Sequence, residues 1–294
     1  MVGIDLHIHT DASPDGDVPC EGIFKIAKGK GISCLAITDH NDTSSLSEAH
    51  RLSLTYGIEL IPGIEFNTNF NGRDVHILGY FVDYSGREFR RIIQEITERK
   101  EEQAKARVEK LKTLGFKINY HDAVEAARGK IPNGSVFLDA LLMHPENRRN
   151  SVLRRYIDGD RSDSPHFNFY RDFFRYGKPA YVPLLHIETG RIIELLHSSG
   201  ALAIIAHPYD IPDPEIMKII DLGVDGLEAY SSYHTEEHIT HFRELAKKNK
   251  ILITAGSDFH GSHKPKIEPG IFIPEGGEIV ERLKERVREK WVQI

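Results

Sequence analysis

The chain has 294 residues, 40% of them hydrophobic and 28% charged, with a net charge of −6 when histidine is neutral. This is an ordinary globular composition, enough for one large domain or a domain with an insertion, and it excludes a uniformly basic nucleic-acid binder. Only two cysteines, Cys20 and Cys34, are present, which excludes a disulfide scaffold and a cysteine-rich zinc site.

Short apolar runs alternate with helical patterns along the chain. The predicted strands are "VGIDLHI", "SCLAIT", "IELIPGIEF", "DVHILGYFV", "ALAIIA", "VDGLEAY" and "ILITAGS". They are rich in Ile, Leu and Val and lack clean polar alternation, as strands covered on both faces do. Between several of them lie helix-period segments that end at a glycine, the usual cap past a helix end. "EGIFKIAKGKGIS", "EAHRLSLTYGIE", "IIELLHSSGALA" and "IMKIIDLGVDG" follow this pattern. The repeated unit predicts an α/β fold on a parallel sheet, open or closed. From about Gly86, "REFRRIIQEITERKEEQAKARVEKLKTLG" reads as one long amphipathic helix, followed by short helical pieces. The expected organisation is a barrel split into residues 1–97 and 186–294, with a helical insertion over residues 98–185 acting as a cap. No apolar run approaches the ~20 residues that span a bilayer. "MVGIDLHIH" also lacks the basic segment, apolar run and cleavage site of a secretion signal. A cytoplasmic protein with no membrane partner and no obligate protein partner is expected.

Histidine is the compositional outlier: sixteen are present, in the residue type that most often binds metals. His7 and His9 are two apart, so on a strand their rings share a face, about 7 Å apart between α-carbons. Alone, such a pair is expected by chance at this histidine frequency. The other polar clusters change its weight. "LAITDHND" ends a strand with Asp39 and His40, "LIPGIEFN" with Glu65, "ALAIIAHPYD" with His207, and "ILITAGSDFHG" with Asp258 and His260. His76 lies near the start of the run "DVHILGY". In α/β barrels, chemistry gathers in the cup formed at the carboxyl ends of the strands. Imidazole and carboxylate mixtures without thiolates suit Zn, Mn or Fe. The donors exceed the four of a structural zinc site, so two or three divalent ions are implied. Such clusters hydrolyse phosphate esters.

Taken together, "DLHIHTDASPDG", "AITDHND", "PGIEF", "VHILGY", "IIAHP" and "GSDFHG" resemble, in order, the motifs of the PHP (polymerase and histidinol phosphatase) family. The resemblance implies a distorted seven-stranded (β/α) barrel with a trinuclear metal centre. One ion would take His7, His9, Glu65 and Asp258; a second would share Glu65 and take His76 and His207; a third would take Asp15, His40 and His260. Where the family has a compact Ser-Asp-Gly, this chain reads Ser13-Pro14-Asp15-Gly16, so Asp11 and Asp17 are alternatives to Asp15. The insertion, with "GKPAYVP" near its end, is similar to the branch of small metal-dependent phosphoesterases acting on nucleotides or short RNA. The implied activity is hydrolysis of a phosphomonoester by a metal-bridging hydroxide held by Glu65 and the ions. The expected substrate is a nucleoside 3',5'-bisphosphate or the 5' end of a short oligonucleotide. The alternatives are a histidinol-phosphate-type phosphatase and a non-catalytic, metal-stabilised nucleic-acid-binding module.

Other features carry weaker signals. "HTEEH" at His234–His238 matches the H-x-x-E-H pattern of inverted zinc peptidases, but its helix has the apolar stripe of a packed surface helix, and His234 is instead a candidate substrate contact. Glu228 in "GLEAY" could orient a ligand histidine. The arginine–aromatic mixture of the insertion suits phosphate binding and base stacking, with Arg148, Arg149, Arg154, Arg155 and Lys178 as candidates. His50, His121, His144, His166, His186 and His197 carry no signal.

Overall fold

A computed structural model describes residues 2–291, the side chain of Glu88 excepted. The apolar runs form β1 (Val2–Ile8), β2 (Ile32–Ile37), β3 (Glu59–Phe70), β4 (Arg73–Tyr80), β5 (Leu202–Ile205), β6 (Gly226–Ser231) and β7 (Leu252–Gly256), with a short β8 (Ile271–Ile273) after them. Around them lie α1 (Cys20–Lys30), α2 (Leu46–Tyr56) and the long α3 (Arg87–Thr113). The insertion supplies α4 (Tyr120–Ala126), α5 (Phe137–Leu142), α6 (Pro145–Arg148), α7 (Ser151–Ile157) and α8 (Pro165–Phe173). The chain returns through α9 (Thr189–Ser198), α10 (Asp213–Asp221), α11 (Glu236–Asn249) and α12 (Gly276–Trp291). Helices α1 and α2 end, as their sequences predict, at Gly31 and Gly57 in the left-handed region. Among the described residues no helix is long and apolar enough to cross a membrane.

The sheet order is β7-β6-β5-β4-β3-β2-β1-β8. Strands β1, β2 and β3 pair in parallel, as do β5, β6 and β7. The first and seventh strands meet just beyond their regular ends. There the Asp258 amide donates to the His7 carbonyl at 2.8 Å and the His9 amide to the Phe259 carbonyl at 3.0 Å. Seven strands therefore nearly close a barrel, with β8 as an antiparallel edge on β1. This is the α/β barrel that the motifs imply, with one departure from a parallel sheet. Strand β4 runs antiparallel to both β3 and β5. The cause is Asn71-Gly72, whose φ angles of 52° and 83° are those of a two-residue hairpin turn. The chain folds straight back, and no crossover helix is needed. Strand β3 consequently runs on to Phe70, which puts Glu65 in mid-strand opposite Leu78 rather than at a strand end.

Two apolar cores meet on α3. Phe89, Ile92 and Ile96 pack into the barrel core, whereas Ala104, Val108 and Leu111 pack into a second core with Phe137, Leu141, Phe169 and Phe174. The passage from barrel to cap thus lies inside one continuous helix.

Barrel closure leaves little room between β7 and β1. A Cβ placed on Gly256 would lie 2.2 Å from the His7 Cβ and 2.8 Å from the His7 amide nitrogen. Gly256→Ala is therefore expected to cost roughly 1–3 kcal/mol, the range for overpacked cores, read as a lower urea midpoint; an unchanged midpoint would show that the seam has slack.

Candidate metal centre

The nine residues singled out by the motifs converge inside the barrel mouth. His7 is the penultimate residue of β1 and His9 follows the strand; His40 follows β2; Glu65 and His76 lie on the paired strands β3 and β4; His207 follows β5; Asp258 and His260 follow β7. His207 and Asp258 take φ angles of 26° and 59°, which side chains other than glycine seldom adopt. Such backbone persists only where its surroundings over-determine it, and it clusters at functional sites.

Glu65 is the hub. Its Oε1 lies 2.8 Å from His76 Nδ1, 3.2 Å from His207 Nε2 and 3.4 Å from His7 Nε2. Its Oε2 lies 2.8 Å from His40 Nδ1 and 3.3 Å from His9 Nε2. Asp258 Oδ1 stands 3.2–3.3 Å from ring nitrogens of His7, His9 and His260. Asp15 is buried, 3.5 Å from His260 Nε2 and 3.9 Å from His40 Nε2. Of its two alternatives, Asp11 is exposed and Asp17 is tied to the amide and hydroxyl of Ser262.

The grouping of donors differs in detail from the set the resemblance implies. His7, His9, Glu65 and Asp258 form one compact group. The second compact group is His40, Glu65 and His76, and the third is His9, His40 and His260. His207 and Asp15 stand somewhat further out, and His40 lies between the second and third groups.

Surrounding side chains fix which ring nitrogens face inward. Glu228, fully buried, accepts from His7 Nδ1 at 3.2 Å and from the His207 amide at 2.9 Å. Ser13 Oγ donates to Asp39 at 2.9 Å, so it accepts from His9 Nδ1 and from the His40 amide, both at 3.0 Å. His260 Nδ1 donates to the Asp258 carbonyl at 2.9 Å. Each of these bonds commits Nδ1–H outward and turns the Nε2 lone pair into the cluster. Asp39 itself, bonded to Thr10, Ser13 and Ser45, anchors the loop after β1.

This donor set fits divalent ions. Nε2 of His7, His9 and His260, Nδ1 of His40, Oδ1 of Asp15 and Asp258, and Oε2 of Glu65 are buried without a hydrogen-bond partner among the described residues. They face one another closely, yet aim at shared points rather than along donor–acceptor lines, as ligands of a common cation do. Protonation agrees. Burial alone would raise the Glu65 carboxyl, but His76, His40 and His7 outweigh it and hold it well below the usual carboxylate range. Asp258 is likewise held low against burial by Lys264, His260 and His7. Burial pushes His40 and His260 down, and His76 to about 4, which keeps these imidazoles neutral. Burial opposes protonation of His7 and His9 too, but the carboxylates of Glu65 and Asp258 prevail, raising His7 well above its ordinary value and His9 to about 8.

A cleft opens from this floor between barrel and cap. Its walls carry Arg73, Lys100, Arg107, Arg175 and Lys264, together with the rings of Phe167, Tyr170, Tyr209 and Tyr233. The candidates drawn from the arginine-rich segment do not line it. Arg154 and Arg155 pair with Asp158 and Asp160 at the end of their own helix, and Arg148 donates to the Leu142 carbonyl. Arg149 and Lys178 are exposed elsewhere. His234 turns away, donating Nδ1 to the Ala229 carbonyl at 2.8 Å and packing on Phe242. In "HTEEH", Thr235 caps α11 and His238 completes its capping box, and the motif gathers no metal-type donor group among the described residues. The cleft cations that composition missed do leave a trace. Lys100, Gln103 and Arg107 occupy the buried stripe of α3, with 4–8% exposure.

A barrel that collects buried, outwardly braced imidazoles and carboxylates at its strand ends, beneath a cation-lined cleft, belongs to the metal-dependent hydrolases. The PHP domain model matches residues 5–158, just over half of the sequence, and the chain belongs to the PHP domain family. It is 28% identical over 262 residues to a 5'-3' exoribonuclease of Haemophilus influenzae, covering 87% of this chain and 89% of that one. It is 26% identical to a 3',5'-nucleoside bisphosphate phosphatase of Chromobacterium violaceum, covering 88% of both. It is also 25% identical to a phosphoribosyl 1,2-cyclic phosphate 1,2-diphosphodiesterase of Eggerthella lenta, covering 92% of this chain and 98% of that one. The fold is shared with a chain from Bifidobacterium adolescentis described as a candidate metal-dependent phosphoesterase, at a TM-score of 0.77, 24% identity and 96% coverage of both chains.

The outer carboxylate Glu228 gives a direct test of this arrangement. Glu228→Gln keeps the acceptor for the His207 amide but removes the charge that orients His7. Metal affinity, measured by competition with a chelator, should fall about 10–100-fold; unchanged affinity would make Glu228 a bystander.

Proposed function

We propose that the chain is a metal-dependent phosphoesterase whose substrate is a phosphomonoester carrying a nucleobase, a nucleoside 3',5'-bisphosphate or the 5' end of a short oligonucleotide. The observation that carries this reading is the buried donor set at the floor of a cleft whose walls offer both cations and aromatic faces. His7, His9, Glu65 and Asp258 would hold one divalent ion, Glu65, His76 and His207 a second, and Asp15, His40 and His260 a third, with His40 near enough to Glu65 to join the second. Such ions supply charge that polarises phosphoryl oxygens and lowers the pKa of water, so no strong side-chain base is needed.

The protein's own side chains do the rest. Glu65 and Asp258, ionised and buried, set the charge of the floor. Glu228, Ser13 and Asp39 keep the imidazoles in one tautomer. Lys100 and Arg107 project from α3 into the cleft and offer a second phosphate group its countercharge. Phe167 of α8 and Tyr233 stack at 5.4 Å with an interplanar angle of 12°, and Tyr209 lies 5.4 Å from Tyr233. Stacking on such rings is worth ~1–3 kcal/mol per base. Histidinol phosphate has only one small imidazole to place on them, where a nucleotide offers a full base, which favours nucleotides over the histidinol-phosphate reading. The H. influenzae and C. violaceum relatives, named for RNA and for nucleoside bisphosphates, support the same choice.

Glu65→Ala should abolish phosphate release and bound metal together while far-ultraviolet circular dichroism stays native. The measurement is a screen over nucleoside mono- and bisphosphates and 5'-phosphorylated RNAs with Mn²⁺, against a chelated sample. Turnover that survives both chelation and the substitution would end the metal-dependent reading. Absence of turnover alongside tight RNA binding would leave the binding module.

Lys100 makes the cleft sensitive to alkali. Burial, reinforced by Arg107 on the same helix, pushes its ammonium down to about 8, against the opposing pull of Asp15, Asp74 and Glu65. Its charge is therefore full below that value and lost above it, so KM for a bisphosphate should rise as pH passes through about 8. Lys100→Arg, which stays charged, should flatten that limb; superimposable pH profiles of KM would remove Lys100 from substrate binding.

A further inference from the structure

We propose that Asp139, His166 and His263 form a separate divalent-ion site, of the zinc or ferrous type, that clips the cap to the barrel. Asp139 lies on α5 and His166 on α8, both in the cap. His263 closes the 3-10 turn Gly261–His263, three residues beyond His260 on the barrel side. One donor atom from each of the three lies within 4.8 Å of the other two. His166 Nε2 stands 2.9 Å from Asp139 Oδ1 and His263 Nε2 3.8 Å from Oδ2, so each imidazole addresses its own carboxylate oxygen. The two rings are 4.8 Å apart between centroids.

A simple histidine–aspartate hydrogen bond explains only half of this. It accounts for His166 Nε2 and leaves His263, whose side chain is 13% exposed, with neither ring nitrogen bonded. His166 Nδ1 is also buried without a partner among the described residues. Buried polar groups are normally satisfied, and exceptions call for a ligand or water. A cation shared by both imidazoles and the carboxylate takes up one nitrogen of each ring. Two nitrogens and one oxygen suit zinc or ferrous iron better than magnesium or calcium. Three protein donors leave a position for water, on the side where Asp139 is 43% exposed. Burial pushes His263 down, which keeps its imidazole neutral and available as a ligand.

The location gives the site a consequence. Phe167, next to His166, is the cap ring stacked on Tyr233. Lys264, next to His263, contacts Asp258 at 2.6 Å on the cleft wall. An ion joining His166 to His263 sets the distance between the two walls of the cleft. The site is built from residues that neither line the cleft nor belong to the nine donors at its floor, so it stands whether or not the substrate reading is correct.

The test uses the full chain loaded with zinc alone. Anomalous diffraction at the zinc edge should show a peak between Asp139, His166 and His263 in addition to those at the barrel floor. Metal analysis of the Asp139→Asn/His166→Gln double variant should return one ion fewer per chain than the unaltered protein. Zinc at the barrel floor with no peak at the seam would overturn the proposal, as would equal metal content in a folded double variant. Should the double variant fail to fold, diffraction from the unaltered chain decides alone.

Discussion

One buried carboxylate organises the molecule. Glu65 faces five imidazoles within 3.4 Å, and a carboxylate has about four lone-pair directions to offer. Five nitrogens cannot all be satisfied by two oxygens, and if all five were protonated their mutual repulsion would break the cluster. As a set of donors around shared cations the arrangement would be stable, each nitrogen and each oxygen spending a lone pair on an ion. The cost of taking Glu65 out of water is otherwise several kcal/mol, offset here by the imidazoles of His76, His40 and His7 rather than by apolar packing.

Barrel closure delivers the donors to that carboxylate. The β1–β7 seam sets His7 and His9 beside Asp258 and His260, although some 250 residues separate them in the chain. Behind the donors stands a layer of groups that brace them by hydrogen bonds: Glu228 on His7, Ser13 and Asp39 on His9, the Asp258 carbonyl on His260. Asp5 reinforces the seam from below, accepting from the amides of Ser257 and Gly270. The positive φ angles at His207 and Asp258 are held by these contacts, the His207 amide on Glu228 and the Asp258 amide on the His7 carbonyl. Precision at the floor is thus a property of β-strand ends, where backbone position is fixed by the ladder, rather than of free loops.

The parts of this design that follow from local pattern were legible in the sequence; those that follow from long-range placement were not. Apolar runs of six to nine residues located the seven barrel strands to within a few residues, because strands buried on both faces cannot be polar. The three-residue β8 carries too little pattern to register. The direction of β4 was written in Asn71-Gly72, a two-residue signal easily overshadowed by the α/β rhythm on either side. The nine donors were visible because each motif sits in or shortly after an apolar run, whether the donor proves to follow a strand, as His207 does, or to lie within one, as Glu65 does. The cleft cations were not. Composition pointed to Arg148 of α6, which is spent on the Leu142 carbonyl, and to Arg154 and Arg155 of α7, which are spent on Asp158 and Asp160. Lys100 and Arg107 read as the polar face of a charged helix, and only the presence of the cap turns that face inward. Likewise His166 appears unremarkable until folding sets it beside His263.

The same helix explains why the cap carries charge into an otherwise apolar seam. Because α3 belongs to both cores, the cap cannot swing about its entry point without bending a helix of 27 residues. Substrate must therefore find a preformed cleft, whose five cations are balanced by five carboxylates but include, on α3, a lysine with no carboxylate in contact among the described residues. Arg107 lies 3.6 Å from Asp74, whose own carboxyl is raised by burial despite Arg107 and Lys100. Lys100 donates to the amide oxygen of Asn67, 2.5 Å away, and feels Asp15, Asp74 and Glu65 only through space. Burying two cations with a single carboxylate in direct contact is unfavourable for folding alone. It becomes favourable when a phosphate enters, since the desolvation has already been met in the folded protein and the anion meets fixed positive charge without reorganisation. The stability given up along α3 is the electrostatic preorganisation available to the substrate.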